Sequence, residues 1–291
     1  MTATAALFSV PAPIRLAYRV ADRIAPAVSA RWAEQVWMTL PKPSKARPMA
    51  ESGTPFRVGT LLGRTWGDGP PIYLAHGWAG YHGQFAAFIP ALIAAGYRVV
   101  GFDMPSHGRS GPGRFGPQSS SIPEFAEALA AVVAEHGPAY AVIAHSIGAT
   151  ATAAALRSGL TAERLALIAP MAIPSVQAQQ LAAVLGFGER THRRLLDRIE
   201  ARVGVPMRDL EMPATSRACA VPPALLVHDT DDRTTPSSGS EAIVAAWPGS
   251  TLYLTTGLGH NRLLRDRDVV AAVTDFVTHP NQQALRRSVR P

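Results

Sequence analysis

Apolar and polar residues alternate along most of the chain in blocks that predict strands followed by helices. From about residue 55, short continuous apolar runs end at loop-forming residues, and most are followed by an Ala-rich stretch with helical periodicity. Apolar strands separated by helices are typical of an α/β fold with a parallel sheet covered on both faces. The predicted strands are Pro71–Ala75, Tyr97–Asp103, Tyr140–Ala144, Leu165–Ala169, Ala224–Val227 and Thr251–Leu254, and the predicted helices are Gly83–Ala95, Ile122–His136, Gly148–Arg157, Gly239–Ala246 and Asp266–Val277.

Residues 1–45 precede this alternation and predict an N-terminal helical extension of two helices. Apolar residues recur at helical spacing in two runs, with Pro26 between them. We expect the pair to pack on the main body of the protein. A membrane-surface anchor is the alternative, with weaker support, because basic amphipathic character alone is a weak signal. The apolar positions are Leu16, Val20 and Ile24 in the first run and Trp32, Val36, Trp37 and Leu40 in the second.

The segment 171–220 interrupts the alternation of strands and helices and predicts a helical cap over the sheet edge. Four of its apolar residues share one helix face, and Gly204 is expected to end that helix. The core would then comprise residues 46–170 and 221–291. The four apolar residues are Leu195, Leu196, Ile199 and Val203.

Composition excludes several classes of protein. The chain is 47% hydrophobic and 17% charged, which fits a folded globule. Its formal net charge is +7, but the arginines are scattered among acidic residues, so we expect no nucleic-acid partner. Cys219 is the single cysteine, which rules out an intrachain disulfide, and residues 1–20 lack the features of a signal peptide. These features predict a cytoplasmic location, and they leave the oligomeric state open.

The strongest local signal for chemistry lies at Ser146. An apolar strand runs into His145 and Ser146, and an Ala-rich helix follows at once. This context is typical of a nucleophile elbow, a sharp strand-to-helix turn that exposes a serine hydroxyl above the sheet. The residues two before and two after the serine must be small, and Ala144 and Gly148 meet this requirement. A serine that merely caps a helix is the structural alternative.

A serine nucleophile needs a general base and an acid that orients the base. His260 follows the last predicted strand, and Asp232 follows the strand before it. Both therefore fall at the same sheet edge as Ser146, where sites of α/β proteins are built. Asp231 is the second candidate for the acid, and Asp229 is expected to cap a turn.

Backbone N–H groups are the expected donors to a developing oxyanion. The strand 71–75 runs into Trp78, and Ile147 begins the helix after Ser146, so we expect these two residues to form the oxyanion hole. The Trp78 ring would also wall the pocket. The residues expected to support the pocket or the elbow are His76, Gly77, His145 and Gly148.

The loop from Asp103 to Ser110 holds a second group of Asp, His and Ser residues. Residues so close in sequence seldom form a triad, so we expect side-chain hydrogen bonds to hold this loop. The sequence contains no H-E-x-x-H motif, no paired cysteines, no clustered carboxylates and no glycine motif for a phosphate or dinucleotide. It therefore predicts no metal and no cofactor.

Together these motifs resemble the α/β-hydrolase superfamily over residues 55–278. The matching pieces are His76-Gly77-Trp78, the loop from Asp103 to Ser110, the Ser146 elbow, the Asp232 loop and Gly259-His260. The resemblance implies a mostly parallel eight-stranded sheet, a cap at 171–220 and a two-step acyl-enzyme mechanism without a cofactor. The order Ser, Asp, His is the one that this fold uses. Ala144 and Ser106 stand where the superfamily pattern has glycine.

The resulting hypothesis is a serine hydrolase of the carboxylesterase type, acting on a small-molecule ester or acyl substrate. The same triad also serves thioester and carbon–carbon bond hydrolysis, so the fold leaves the substrate open. A non-catalytic, ligand-binding member of the fold is the alternative from another class.

Overall fold

The computed structural model describes residues 10–41 and 52–279. Within these residues the chain forms an eight-stranded sheet in the order β1-β2-β4-β3-β5-β6-β7-β8. The strands are β1 (Thr54–Val58), β2 (Leu61–Trp66), β3 (Pro71–Ala75), β4 (Arg98–Phe102), β5 (Ala139–His145), β6 (Ala162–Ile168), β7 (Ala224–Asp229) and β8 (Thr251–Thr255). Strand β2 pairs antiparallel with β1 and β4, and the other neighbours are parallel. The predicted α/β fold with a mostly parallel eight-stranded sheet is confirmed.

The apolar runs do not predict strands β1 and β2, which form an antiparallel hairpin at one edge of the sheet. Strand β1 is exposed along much of its length, so it lacks the continuous apolar run of a buried strand. Gly59 and Thr60 connect the two strands, and Gly59 has a φ of 58°. A two-residue turn with glycine is the sequence signal for such a hairpin.

Helices lie on both faces of the sheet and enclose two apolar cores. Phe125 and Leu129 of the fourth helix pack in one core, and Val269 and Val273 of the last helix pack in the other. The helices are α1 (Ala12–Ile24), α2 (Pro26–Met38), α3 (Ile89–Ala94), α4 (Ile122–His136), α5 (Ile147–Arg157), α6 (Pro174–Leu185), α7 (Glu189–Val203), α8 (Thr215–Ala218), α9 (Ser238–Ala246), α10 (Gly259–Arg262) and α11 (Arg267–Thr278). In the described part of the chain, none of them has the length and apolar character to cross a bilayer.

The single helix predicted over Gly83–Ala95 is wrong, because this segment is divided. A 3₁₀ turn spans His82–Phe85, and α3 begins only at Ile89. Pro90 lies in the first turn of α3. Proline has no N–H and clashes with the preceding turn inside a helix, so α3 begins beside it rather than running through it.

The two helices predicted at the N-terminus are confirmed as α1 and α2. Both pack against α6, and α2 also packs along α7. The face that α1 buries differs from its apolar stripe. Tyr18 and Ala21 are buried, whereas Leu16, Val20 and Ile24 are 62%, 48% and 79% exposed. The apolar spacing therefore predicts the helix but not the side that meets the protein. The boundary proposed at residue 45 lies outside the described residues.

The segment 171–220 is helical and is joined to the N-terminal helices by a buried carboxylate. Gly204 has a φ of 74° and ends α7, as its position in the sequence predicts. Glu34 of α2 is buried and accepts hydrogen bonds from Arg198 at 2.6 Å and Arg202 at 3.2 Å. These two charge-assisted contacts hold α2 against α7.

Candidate active site

Ser146 lies at the sharp turn between β5 and α5. Its φ of 55° and ψ of −124° are unusual for a residue with a side chain. Its N–H donates to the carbonyl of Ile168 at 3.0 Å, and its own carbonyl accepts from the N–H of Met171 at 3.2 Å. These bonds to the end of β6 and the residues after it hold the serine in its strained conformation.

Two glycines allow the backbone to pack closely around this turn. A Cβ atom at Gly148 would lie 2.3 Å from the carbonyl oxygen of Ala75, which is closer than any real contact. At Gly77 a Cβ atom would lie 3.0 Å from His145 Nδ1 and from Ser146 Cβ. Gly148 is therefore needed because strand β3 and the turn after β5 approach each other here, whereas a Cβ atom at Gly77 would require the neighbouring side chains to shift by a few tenths of an ångström.

Asp232 accepts a hydrogen bond from His260. The distance between His260 Nδ1 and Asp232 Oδ2 is 2.7 Å, and both side chains are largely buried. The other carboxylate oxygen accepts from the N–H groups of Thr234 and Thr235 at 2.7 and 3.1 Å. The bond fixes a proton on Nδ1 of the neutral imidazole and leaves Nε2 as the basic nitrogen.

Sequence reasoning missed a second histidine that contacts the Asp232 carboxylate. His228, at the end of β7, is fully buried, and its Nε2 lies 3.3 Å from Asp232 Oδ2 and 3.0 Å from the carbonyl of Thr235. Its Nδ1 lies 2.7 Å from the hydroxyl of Ser240. Burial raises the pKa of Asp232, but hydrogen bonds from His228 and His260 outweigh it and hold that pKa well below its ordinary value. The carboxylate is therefore ionised at neutral pH.

Asp229 has a separate task, because it binds the loop that carries His260. It accepts hydrogen bonds from the N–H groups of Leu258 and Gly259 at 3.0 and 2.9 Å, and from the Thr255 hydroxyl at 2.6 Å. Burial raises its pKa, but these bonds lower it below the ordinary value overall. The carboxylate fixes the main chain just before the histidine.

Asp231, the second candidate for the acid, is exposed and accepts a hydrogen bond from the N–H of Gly257 at 3.1 Å. Of the three aspartates in this loop, the structure brings Asp232 to the His260 ring.

The expected oxyanion donors are the N–H groups of Trp78, in the loop after β3, and of Ile147, the residue next to Ser146. Ile147 is the first residue of α5, and the first N–H groups of a helix have no acceptor within it. Among the described residues, neither N–H donates a hydrogen bond within the protein. Trp78, Ile147, Ser146 and His260 all line one cavity. In the same described residues the Ser146 hydroxyl forms no hydrogen bond to His260, a contact that is often loose before substrate binds.

His145 contacts the main chain of His260. Its Nε2 donates to the His260 carbonyl at 3.1 Å, and the two ring centroids are 4.7 Å apart. Burial lowers the pKa of His145 to about 3, and the nearby His260 ring adds to this effect. His145 is therefore a neutral residue that supports the position of His260.

His76 joins two loops beneath the cavity. Its Nε2 accepts from the N–H of Met104 at 2.9 Å, and its Nδ1 donates to the carbonyl of Gly77 at 2.8 Å. Both bonds require a neutral ring, and burial lowers the pKa of His76 accordingly. The ring thereby fixes the main chain that leads to Trp78.

The loop from Asp103 to Ser110 is held by side-chain hydrogen bonds, as expected. Asp103 accepts from His82 Nδ1 at 2.7 Å and from the N–H of Arg109 at 2.8 Å. His107 donates instead to the carbonyl of Pro105 at 2.9 Å. Asp103 and His107 therefore do not form an acid–base pair with each other.

Ser106 replaces the glycine of the family pattern and adopts a φ of 65°. This left-handed conformation is the reason why glycine suits the position. The Ser106 hydroxyl accepts from the N–H of Gly113 at 3.0 Å and donates to the carbonyl of Gly116 at 2.7 Å. These two bonds help to offset the cost of the strained backbone.

A cavity of about 1120 Å³ lies above Ser146 and His260. Its walls come from α1 and α2 as well as from the segment 171–220, so the N-terminal helices are part of the site. No group of three His, Cys, Asp or Glu side chains suited to a metal ion occurs in the described part of the chain. The apolar wall includes Ile14, Trp32, Val36 and Trp37 from the N-terminal helices and Leu181, Val184, Ile199 and Leu210 from the segment 171–220.

Solved structures of other proteins share this fold at low sequence identity. An alpha/beta hydrolase enzyme from the metagenome of lagoon sediments at Mar Chica, Morocco, is 17% identical with a TM-score of 0.58, over 79% of this chain and 100% of that chain. The monoacylglycerol lipase of Paleococcus ferrophilus is 20% identical with a TM-score of 0.56, over 75% and 98%. The meta-cleavage product hydrolase of Pseudomonas fluorescens is 16% identical with a TM-score of 0.58, over 79% and 98%.

No curated protein matches the chain in sequence. The family model described as the alpha/beta hydrolase family, however, matches residues 72–273. That range begins in β3 and includes Ser146, Asp232 and His260. The match extends over more than half of the sequence and agrees with the sheet order and the strand-to-helix turn described above. The chain therefore belongs to the alpha/beta hydrolase family.

Proposed function

We propose that this protein is a serine hydrolase that cleaves carboxylic esters of apolar substrates through an acyl-enzyme intermediate. The observation that carries the proposal is the 2.7 Å contact between His260 and Asp232, in the cavity that Ser146 also lines. Nucleophile, base and acid are the three groups that such a reaction needs.

In the proposed reaction the Ser146 hydroxyl attacks the ester carbonyl, and His260 Nε2 takes its proton. The ionised Asp232 stabilises the imidazolium that forms and keeps the Nδ1 proton in place. The bond between the carbonyl carbon and the alcohol oxygen then breaks, and His260 gives the same proton to that oxygen. The alcohol leaves, and the acyl group stays bound to Ser146. Water repeats the sequence on the acyl-enzyme, with His260 again acting as base and then as acid.

The oxyanion that forms in each step would accept hydrogen bonds from the N–H groups of Trp78 and Ile147. Both are backbone donors without an acceptor in the described part of the protein, so they need not break a bond to bind the substrate oxygen. Losing one such donor typically slows an enzyme by about a hundredfold to a thousandfold.

The wall of the cavity supports an apolar substrate of considerable size. Ile14, Trp32 and Trp37 from the N-terminal helices line it together with apolar residues of the segment 171–220. The volume of about 1120 Å³ exceeds what a short acyl group would fill. One structure of the same fold is a monoacylglycerol lipase and another is a meta-cleavage product hydrolase, so the fold alone does not choose the reaction.

Hydrolysis of p-nitrophenyl acetate, octanoate and palmitate tests the proposal. We expect turnover of the purified protein, with the longer esters preferred because they fill more of the cavity. Ser146→Ala should lower kcat by several orders of magnitude. Ser158→Ala is the matched control, because Ser158 is exposed at the other end of the same helix. Full activity in Ser146→Ala would overturn the assignment.

A second comparison separates ester hydrolysis from thioester hydrolysis, carbon–carbon bond hydrolysis and ligand binding without turnover. Rates on a matched oxygen ester, thioester and diketone should be highest for the oxygen ester. A faster reaction with the thioester or diketone would replace the ester assignment while keeping the triad. Tight binding of these compounds without turnover by the folded protein would favour a ligand-binding member of the family.

A further inference from the structure

An exposed apolar surface lies on the N-terminal helices. In the described part of the chain, all the exposed large apolar side chains except Ile93 belong to α1 or α2. Such concentration is unusual, because exposed apolar residues are ordinarily scattered over a protein. We call this the α1–α2 surface, and its members are Ile14, Leu16, Val20, Ile24, Val28 and Trp32.

A row of arginines runs beside the apolar stripe of α1. Leu16, Val20 and Ile24 follow one another at intervals of four residues, and an exposed arginine precedes each of them. Because residues four apart share one side of a helix, the arginines form a basic row parallel to the apolar stripe. Asp22 is the one acidic residue of α1. The arginines are Arg15, Arg19 and Arg23.

Two residues of the α1–α2 surface also line the cavity above Ser146. Ile14 and Trp32 are exposed members of the surface and also line the cavity. Tyr18 of α1 and Val36 of α2 line it further inside. The exposed surface and the cavity therefore meet at the Ile14 and Trp32 side chains.

We propose that the α1–α2 surface docks on an anionic lipid surface. A helix with an apolar stripe beside a basic row lies in the plane of a lipid interface, with the stripe among the acyl chains and the cations at the headgroups. An acyl chain could then enter the cavity past Ile14 and Trp32 without crossing water. A second copy of this chain is a poorer partner, because α1 offers no acidic row to pair with the arginines.

Cosedimentation with vesicles tests the docking by binding alone, so its outcome is independent of the reaction assigned to Ser146. The full-length protein is mixed with vesicles of phosphatidylcholine, or of phosphatidylcholine with phosphatidylglycerol. We expect binding to the anionic vesicles to be about tenfold or more stronger, and to weaken as salt is added.

Two sets of substitutions separate the apolar and basic contributions. Leu16→Gln with Val20→Gln and Ile24→Gln should weaken binding to anionic vesicles about tenfold or more, and so should Arg15→Gln with Arg23→Gln. Ile93→Gln removes an exposed apolar residue on α3 and should leave binding unchanged. Glutamine is a good helix former, and circular dichroism of each variant checks that the fold is retained.

Three results would overturn the proposal. The first is no binding of the wild-type protein to either vesicle. The second is binding that neither set of substitutions weakens. The third is a dimer, measured by light scattering, that becomes monomeric in the triple glutamine variant while vesicles bind neither protein. That last result would assign the α1–α2 surface to contact between copies of the chain.

Discussion

The carboxylate of Asp229 accepts a hydrogen bond from the N–H of Gly259 at 2.9 Å, one residue before His260. Asp232, three residues further along the same loop, binds the His260 ring. One carboxylate therefore positions the main chain and the other positions the imidazole. The two strands β7 and β8 are parallel neighbours, so both loops lie at one edge of the sheet.

We predict that Asp229→Asn lowers kcat about tenfold to a hundredfold with little change in KM. The amide keeps the size of the side chain, but its NH₂ group would face a main-chain donor, so the loop and His260 would shift. A displacement of about 1 Å can cost a factor of about a hundred in rate. Steady-state kinetics on the preferred ester measures the effect.

Asp231→Asn is the control for that substitution, because Asp231 is exposed and its carboxylate accepts only from the N–H of Gly257 in the described residues. Its kcat should stay within about twofold of wild type, since exposed hydrogen bonds contribute little. Equal losses in the two variants would show that charge in this loop, and not the contact with Gly259, matters.

Asp232→Asn should reduce kcat by about ten thousandfold. The asparagine amide can donate to Nδ1 and favour the opposite tautomer, in which Nε2 carries the proton and cannot act as base. The pH–rate profile of the residual activity should differ from that of wild type. A variant with a wild-type rate would remove Asp232 from the mechanism.

Gly148→Ala should destabilise the fold by about 1–3 kcal/mol and lower activity. The new Cβ atom would lie 2.3 Å from the carbonyl oxygen of Ala75, and main chain cannot move aside as a flexible side chain would. Urea unfolding measures the loss. Ala144→Gly restores the glycine of the family pattern, and we expect that variant to fold and to retain its activity.

Stability should fall as the pH drops from about 6.5 towards 4. Burial lowers the pKa of His107 and of His145 to about 3 in the folded protein, from 6.5 in the unfolded chain. Below pH 6.5 the unfolded chain therefore binds protons that the folded protein does not. Each histidine should therefore lower the free energy of unfolding by about 1.4 kcal/mol for each pH unit across this window. Asp229 and Asp232 act differently, because the folded protein lowers their pKa values below 3.8, the value in the unfolded chain. Their contribution to stability is therefore complete above pH 3.8 and is lost only at lower pH.

Urea unfolding at pH 7 and pH 5 measures this dependence. The free energy of unfolding should be lower at pH 5, and His107→Gln should reduce the difference between the two values. Stability that is unchanged between pH 7 and 5 would contradict the neutral, buried state of these histidines.

The placement of Ser146, Asp232 and His260 after successive strands of the sheet could be predicted from sequence, because each follows an apolar strand of recognisable length. Parallel strands bring their carboxyl ends to one edge, so three separate loops could be assigned to one place. The task of Asp229 and the contact of His228 with Asp232 could not be predicted. Differences of a few tenths of an ångström in the loops decide which carboxylate oxygen accepts from which donor. The pattern of residue types does not contain this information.

The N-terminal helices show a second limit of sequence reasoning. The spacing of Leu16, Val20 and Ile24 predicts a helix with one apolar side. That side would ordinarily face the protein, yet α1 buries Tyr18 and Ala21 instead. The choice depends on the shape of the helices beneath it, which no local pattern describes. The edge hairpin of β1 and β2 could not be predicted from the apolar runs for a related reason, because an exposed strand needs no continuous apolar run.

Labelling with a fluorophosphonate tests the central claim most directly, because this reagent forms a covalent bond with an activated serine. Intact mass of the labelled protein counts the adducts, and peptide mass spectrometry locates them. We predict one adduct on Ser146, none in Ser146→Ala, and much slower labelling in Asp232→Asn. A folded protein that gains no adduct, or that gains one on another serine, would contradict the assignment of Ser146 as the nucleophile.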